Sequence, residues 1–409
     1  MITTSSHQEA TKKDLLNSQT IIPANYQELL ASLRKFNTRQ DLYKSTFFTE
    51  NHKQLDLILN HIWQQKQIHT KPRLKEFLRL THWNIERGKH LNAIASLFSQ
   101  DPILQWSDII SLNEVDLGMN RTQNRNIAFE LAERLGMHVY YIAEYLELTK
   151  GVGSELNLLG ENQEALHGNA ILSRYPILSI HSVRLPSCFD TYQFSEKRYG
   201  ERVALIAEVD LGKKIVWLAN THLEVRYTPD CRAKQFTTIL QALDKLPINN
   251  NPVIIAGDLN VGTFKRGNFL YSLMGFLRLA FNTPQSLAYQ LQHPEKYEPL
   301  FNCAKEKGFG FESYNDDLPT CSTAISGVDE AKKMPSFLQS RIDHRLVPYN
   351  NHLAFRLDYF FARGINALQT GQITDPQTKS ISPITIANLL ENSEQISDHN
   401  PIVCDFAIN

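Results

Sequence analysis

From Phe77 onward, short apolar runs alternate with amphipathic stretches, and this rhythm constrains the fold more than any other feature of the chain. The runs are FLRLTHWNI, DIISLNEV, HVYYI, GNAILS, VALIAEVD, KIVWLAN, PVIIAG, RLDYFF and IVCDF. Their length and composition predict extensive sheet. Between them, Ile127, Leu131 and Leu135 recur at helical spacing ahead of Gly136, where a helix would stop. Thr228 and Pro229 read as the cap and first residue of a helix whose face is Ala233, Phe236, Leu240 and Leu243. Interleaved strands and helices make the chain α/β.

Upstream, residues 1 to about 25 are polar and have little to bury, so they read as a tail. Leu29, Leu30, Leu33 and Phe36, then Leu55, Ile58, Leu59, Ile62 and Trp63, recur at helical spacing and predict a helical extension over residues 26–70. The expected division is therefore 1–75 for tail and extension and 76–409 for the main domain. Residues 262–354 form a long Phe-rich and Pro-punctuated insertion without a clear strand.

Composition removes several classes. Over 409 residues, 42% hydrophobic and 21% charged content excludes a disordered polyelectrolyte. A net charge of -1 leaves no global basic field for nucleic acid or anionic membrane. Five cysteines, without a C-x-x-C pair, point to a reduced compartment. The first residues lack the apolar core of a signal peptide, and no stretch reaches the roughly 20 apolar residues of a membrane span. A cytoplasmic location is the expectation.

Polar groups follow several of the apolar runs. Asn84 and Glu86 close the first, Glu114 lies in DIISLNEV, His222 follows KIVWLAN, and Asp258 and Asn260 follow PVIIAG. Asp358 lies in RLDYFF, and Asp398 and His399 precede the last run. Residues two apart on a strand share a face, so Asn84 pairs with Glu86 and Asp258 with Asn260. Carboxylates and amides without clustered cysteines are hard oxygen donors that favour Mg²⁺ or Mn²⁺ over Zn²⁺. With two histidines added, the set reads as metal-assisted phosphoryl chemistry. No P-loop, dinucleotide or nucleophile-elbow fingerprint is present, and the H-x-E at His222 lacks the P-C-x-x-C of a zinc deaminase.

The ordered series WNIE, NEVD, GNAILSRYPI, THLE, GDLN, RLDYFF and SDHNP resembles the endonuclease/exonuclease/phosphatase superfamily, from about Leu78 to the C-terminus. That resemblance implies a four-layer α/β sandwich, two mixed sheets face to face with helices outside, carrying the N-terminal helical extension. It further implies Glu114 as principal Mg²⁺ ligand, with Asn84 and Glu86 beside it and Asp398 near the metal. Asp258 would align or deprotonate the attacking water, Asn260 would hold it, Asp358 would orient His399, and His399 would contact the phosphate. Whether Asp258 or His399 is the base stays open. His222 would assist the leaving group or the phosphate, as in the deoxyribonuclease and sphingomyelinase branches.

Asn169, Arg202 and Arg226 are candidate substrate contacts, and Arg198 and Arg232 offer the same guanidinium chemistry. Glu144 is read chiefly as a surface carboxylate, with pairing to His222 as the alternative. The expected activity is Mg²⁺-dependent hydrolysis of a phosphodiester or phosphomonoester. DNA, RNA, a phospholipid head group and a small phosphoester all remain open as substrate. A catalytically silent binding module of the same fold is the alternative.

Overall fold

The computed structural model describes residues 21–226, 228–262, 269–282, 284–324, 334–347, 352–374 and 379–408. Residues 1–20 of the predicted tail and parts of the insertion thus lie outside the described residues, while Ile21 and Ile22 at its end pack against the core. Two sheets carry the fold. The larger has eight strands, β1 (Ile62–Gln65), β2 (Phe77–Arg87), β3 (Ile109–Leu117), β4 (His138–Glu147), β5 (Leu166–Ser173), β7 (Arg198–Gly200), β14 (Ile384–Thr385) and β17 (Ile402–Ala407). They run in the order β1-β4-β5-β3-β2-β17-β14, with β7 beside β4. The smaller sheet runs β13-β10-β9-β8-β6, built from β6 (Ile177–Arg184), β8 (Val203–Asp210), β9 (Ile215–His222), β10 (Val253–Asp258) and β13 (Asp358–Arg363). Two short hairpins complete the count: β11 (Cys321–Ala324) with β12 (His352–Phe355), and β15 (Leu390–Glu391) with β16 (Glu394–Gln395).

Among the described residues, only β2/β3 and β9/β10 pair in parallel. A parallel pair needs a crossover, and the chain supplies the helices Leu91–Gln100 and Pro229–Lys245. The second begins as its sequence predicts, with Thr228 accepting a bond from the Cys231 amide and Pro229 in the first turn. The helix Ile127–Leu135 ends at Gly136, whose φ of 63° is the left-handed cap that glycine adopts without a Cβ clash.

Strand parity sorts the side chains into layers. Val216, Leu218, Ile254 and Ala256 face the interior with Leu78, Leu80, Ile142 and Ile171 of the other sheet. Trp217, Ala219, Val253 and Ile255 face outward, under Phe236, Ile239 and Leu240 of a helix. Burial on both faces is why the strand sequences are nearly continuous apolar runs. Each fully buried aliphatic side chain in these layers contributes about 1.5–3 kcal/mol. The architecture is the four-layer sandwich.

The structure departs from the sequence reading in four places. Ile62 and Trp63, read as helical, lie on β1, which pairs with Ile142 and Tyr141 at the sheet edge. The helices Tyr26–Arg34 and Thr46–Asn60 place Leu30, Leu33, Leu55 and Ile58 in the same core as the outer face of the larger sheet. In residues 262–354, where no strand was expected, β11 and β12 pair, and Leu300, Phe301, Phe309 and Phe311 join the sandwich core. The helices Phe269–Phe281 and Ser336–Leu346 instead share a satellite core around Phe276, Leu338 and Ile342. Finally, Cys188 and Cys231 form a disulfide, contrary to the reduced expectation. The loop carrying Cys188 packs on the start of the Pro229–Lys245 helix, where the bridge reaches Cys231 in the first turn and Gln235, a turn further on, donates to the Pro186 carbonyl at 3.0 Å.

Candidate active site

Both parallel pairs end at the same edge of the sandwich. Interior parity carries past the apolar residues to His82 and Asn84 on β2, Asn220 and His222 on β9, and Asp258 on β10. The polar groups therefore meet between the sheets, at one end of an otherwise apolar interior.

Three strands of the larger sheet, β2, β3 and β4, slip register at this level. The breaks fall between Asn84 and Arg87, between Leu112 and Val115, and between Ala143 and Tyr145. The residues released are Glu86, Glu114 and Glu144. Glu86 and Glu114 have φ of 44° and 52°, a left-handed backbone that costs a non-glycine residue about 1–3 kcal/mol. A bulge re-aims the side chain it frees, and here it turns successive carboxylates toward one edge.

On the smaller sheet, Asp258 lies in register with His222 on one side and Asp358 on the other. Asp258 Oδ2 accepts from Asn84 Nδ2 at 3.0 Å and stands 3.3 Å from His222 Nε2 and 3.6 Å from His399 Nε2. Its Oδ1 accepts the Asn260 amide at 3.0 Å, which folds Asn260 back over the site with φ 50°. Asp358 Oδ2 bonds His399 Nδ1 at 2.8 Å, and its Oδ1 stands 3.3 Å from His82 Nε2. The Asp358–His399 contact fixes the imidazole and leaves Nε2 facing Asp258.

Electrostatics separates the roles of these groups. Burial pushes the Asp258 carboxyl up to about 6, the Asp358 charge adds to the rise, and His399, Asn84 and the Asn260 amide oppose it. Asp358 goes the other way: burial would raise it, but His399 and His82 hold it below the ordinary carboxylate range. His399 is held well above its ordinary value although burial lowers it, because Cys321, Asp358 and Asp258 favour the charged form. His222 lies well below its ordinary value through burial, with Arg202, His167 and His399 adding repulsion. The surroundings thus favour the charged form of His399 and the neutral form of His222.

The donors proposed for a divalent ion are oxygen atoms of Asn84, Glu86, Glu114 and Asp398. Desolvation raises the Asp398 carboxyl to about 6 even though the residue is exposed at the rim; His399 opposes the rise, and Glu114, Glu86 and Asp258 reinforce it. Carboxylate and amide oxygens are the donors a hard divalent cation takes. The Glu114 carboxyl stays ionised against its burial because His167, Arg87 and His399 surround it. Glu86 is drawn aside by Lys89, 2.8 Å from its Oε1. Among the described residues, two groups of three ligand-type side chains bring their donor atoms within 4.8 Å of one another, Asp258, Asp358 and His399, and Cys321, Asp398 and His399; Glu86 and Glu114 belong to neither.

Beneath the site lies a buried amide layer of which the sequence reading singled out only Asn169, as a substrate contact, and missed Asn113 and Asn220. Asn113 Nδ2 donates to Asn169 Oδ1 and Asn220 Oδ1, both at 2.8 Å, and Asn113 Oδ1 accepts the Asp258 amide at 3.0 Å. Asn220 returns two bonds to the carbonyls of Leu112 and Ala170. These contacts stitch the two sheets together directly under Asp258. A signal was present: WNIE, LNEV, HGNA, LANTH and DLNV each place an asparagine near the end of a strand run.

The substrate candidates fare differently. Asn169 is buried, donating to Glu144 at 3.0 Å and to the Val203 carbonyl. Arg202 is buried and paired with Glu144 at 2.7 Å. Glu144 is fully buried and 4.0 Å from His222 Nδ1, which corrects its reading as a surface group. Arg226 lies over the Phe194 ring at 4.1 Å. Arg232 pairs with Glu298 inside the fold. Arg87 pairs with Glu155 at 2.6 Å and Arg198 with Glu147 at 2.9 Å, and the buried Arg121 pairs with Asp116 at 2.7 Å.

A family model described as the Endonuclease/Exonuclease/phosphatase family matches residues 81–399. Among solved structures, the chain is similar to an endonuclease/exonuclease/phosphatase from Beutenbergia cavernae DSM 12333, at 17% identity and TM-score 0.44, over 81% of this chain and 72% of that one. It is also similar to the human Nocturnin catalytic domain with bound sulfate anion, at 18% identity and TM-score 0.43, over 82% and 99%. A Leptotrichia buccalis C-1013-b protein of the same family aligns at 15% identity and TM-score 0.45, over 81% and 100%. A comparison with curated proteins finds no match. No helix among the described residues is long and apolar enough to cross a membrane.

Proposed function

Because the chain belongs to the endonuclease/exonuclease/phosphatase family, whose members are in general metal-dependent phosphoesterases, we propose that it hydrolyses a phosphodiester with Mg²⁺, Mn²⁺ serving as substitute. The observation that carries the reading is the Asp258 carboxylate set between a charged His399 and the amide of Asn84. Asn84, Glu86, Glu114 and Asp398 would hold the ion, which when bound would polarise the phosphoryl oxygens and neutralise developing charge. Asp258, at about 6, takes the proton of the attacking water near its own ionisation range, where a general base is most effective. Asn260 holds that water. The His399 imidazolium, oriented by Asp358, faces the phosphate as a donor and is a poor base for the same reason. Neutral His222 stands 3.3 Å from Asp258 Oδ2 and serves the leaving oxygen.

The charge balance of the rim supports a compact substrate over a long polyanion. Binding DNA or RNA by its backbone requires several cations released to phosphate. Here Arg87 and Arg198 are engaged by Glu155 and Glu147, while Arg121 and Arg202 are buried in pairs with Asp116 and Glu144. A single phosphodiester, as in a small molecule or a lipid head group, needs only the central groups.

The test is a hydrolysis panel with Mg²⁺ or chelator: bis-p-nitrophenyl phosphate, sphingomyelin, phosphoinositides, supercoiled and single-stranded DNA, and RNA, each with wild type and His399→Ala. Metal-dependent cleavage of a small or lipid diester that His399→Ala abolishes is the expected result. Cleavage confined to nucleic acid would overturn the substrate class, and metal-independent or His399-independent cleavage would overturn the mechanism.

A further inference from the structure

Cys321 is one of three cysteines outside the disulfide, and it is buried directly beside the proposed catalytic histidine. Its backbone forms an antiparallel bridge with His399, and the neighbouring Ser322 amide donates to the Asp398 carbonyl at 3.2 Å. Residues directly opposed across such a bridge put their side chains in contact. A sulfur of Cys321, a carboxylate oxygen of Asp398 and a ring nitrogen of His399 all lie within 4.8 Å of one another.

From this arrangement we infer a second metal site, for a thiophilic divalent ion of the Zn²⁺ type, built from Cys321, Asp398 and His399. One thiolate, one carboxylate and one imidazole are three protein donors of the kind zinc takes, with a fourth position left for water. Thiolate selects zinc over magnesium, so this set and the oxygen-only set of Asn84, Glu86 and Glu114 discriminate between the two ions by ligand softness. Asp358 already engages Nδ1 of His399, so Nε2 is the nitrogen that remains for the ion. Binding converts the Cys321 thiol to thiolate and displaces the Nε2 proton of the His399 imidazolium, both protons passing to solvent. Exposed Asp398 gives the ion a way in from the rim.

The consequence is inhibition. An ion on His399 Nε2 removes the donor that faces the phosphate, and the same ion withdraws Asp398 from the oxygen set. Only this effect on turnover rests on the proposed hydrolysis; the site itself stands on the three side chains.

The experiment reads the two separately. Co²⁺, a spectroscopic substitute for Zn²⁺, is titrated into wild type, Cys321→Ser and, as a control for a remote buried thiol, Cys404→Ser. Thiolate-to-cobalt charge-transfer absorption in wild type and Cys404→Ser, absent in Cys321→Ser, is expected. No such band in wild type, or a band that survives Cys321→Ser, overturns the site. In parallel, Zn²⁺ is titrated against Mg²⁺-supported hydrolysis, each variant normalised to its own uninhibited rate. Loss of the thiolate ligand should raise the inhibitory Zn²⁺ concentration at least about tenfold, the scale on which weakened metal sites lose affinity. Equal inhibition of wild type and Cys321→Ser overturns the inhibitory role. If no substrate is turned over at all, the functional reading fails while the cobalt titration still decides the site.

Discussion

Replacing Asp258 by asparagine should make the metal-free protein more stable at alkaline pH while abolishing hydrolysis, with a stability gain that depends on pH in a calculable way. The side chain is 1% exposed, and its carboxyl is raised from an ordinary 3.8 to about 6. The folded state therefore holds this proton more tightly than the unfolded chain does. The ionised carboxylate subtracts stability fully above about pH 6, and the penalty is relieved as pH falls from about 6 to about 4. That displacement corresponds to about 3 kcal/mol above the folded value, and integrating the linkage gives a growth of about 2 kcal/mol between about pH 4.5 and about pH 8. Asparagine keeps the acceptor for the Asn260 amide but presents a second amide to Asn84, a cost that does not vary with pH and cancels in the comparison. The assay is urea denaturation of both proteins in chelator at the two pH values. A stability difference that is flat or shrinks as pH rises would refute the assignment of a burial-raised Asp258.

Three further outcomes follow from other parts of the structure. Glu144→Ala should destabilise the fold by about 3–5 kcal/mol, the cost of stranding the buried Arg202 charge, and the double variant Glu144→Leu/Arg202→Met should recover much of that loss in thermal unfolding. If Arg202→Met instead left stability intact and raised KM alone, Arg202 would be a substrate contact after all. Lys89→Ala should lower the Mg²⁺ concentration for half-maximal activity about two- to fivefold by releasing Glu86 from a partly exposed pair worth about 0.2–1 kcal/mol, as read by a metal titration of the rate. Gly168→Ala should cost about 3 kcal/mol or more, or fail to yield folded protein, because an added Cβ would stand 1.9 Å from the Ile142 carbonyl oxygen; circular dichroism on heating reads the outcome.

The parts of this molecule that were legible in the sequence are those written in short, local patterns. Strand runs ending in WNIE, NEVD, THLE and GDLN expose both the sheet and the residues at its edge, because burial on two faces forces long apolar runs that a functional polar group must interrupt. Caps such as Thr228 and Gly136 are equally local. What escaped depends on partners distant in the chain. Glu144 reads as a surface carboxylate by residue type, and its burial becomes intelligible only with Arg202, 58 positions away. Trp63 continues a helical spacing from Leu59, yet pairing with Tyr141 at the sheet edge overrides that periodicity. The Cys188–Cys231 bridge, separated by 43 residues, and the β11/β12 hairpin likewise rest on contacts that no local window contains.

The amide layer formed by Asn113, Asn169 and Asn220 makes the interior of the sandwich lopsided along its length. Most of the gap between the sheets is hydrocarbon, which repels solvent without discriminating between positions. The end beneath Asp258 is held by directional bonds that water can replace one for one. Solvent pressed into this protein by denaturant or hydrostatic pressure should enter at that end first. The catalytic groups would then lose their mutual registration while the rest of the sandwich remained closed, so the rate of reaction becomes an early gauge of hydration, fading before any spectroscopic sign of unfolding.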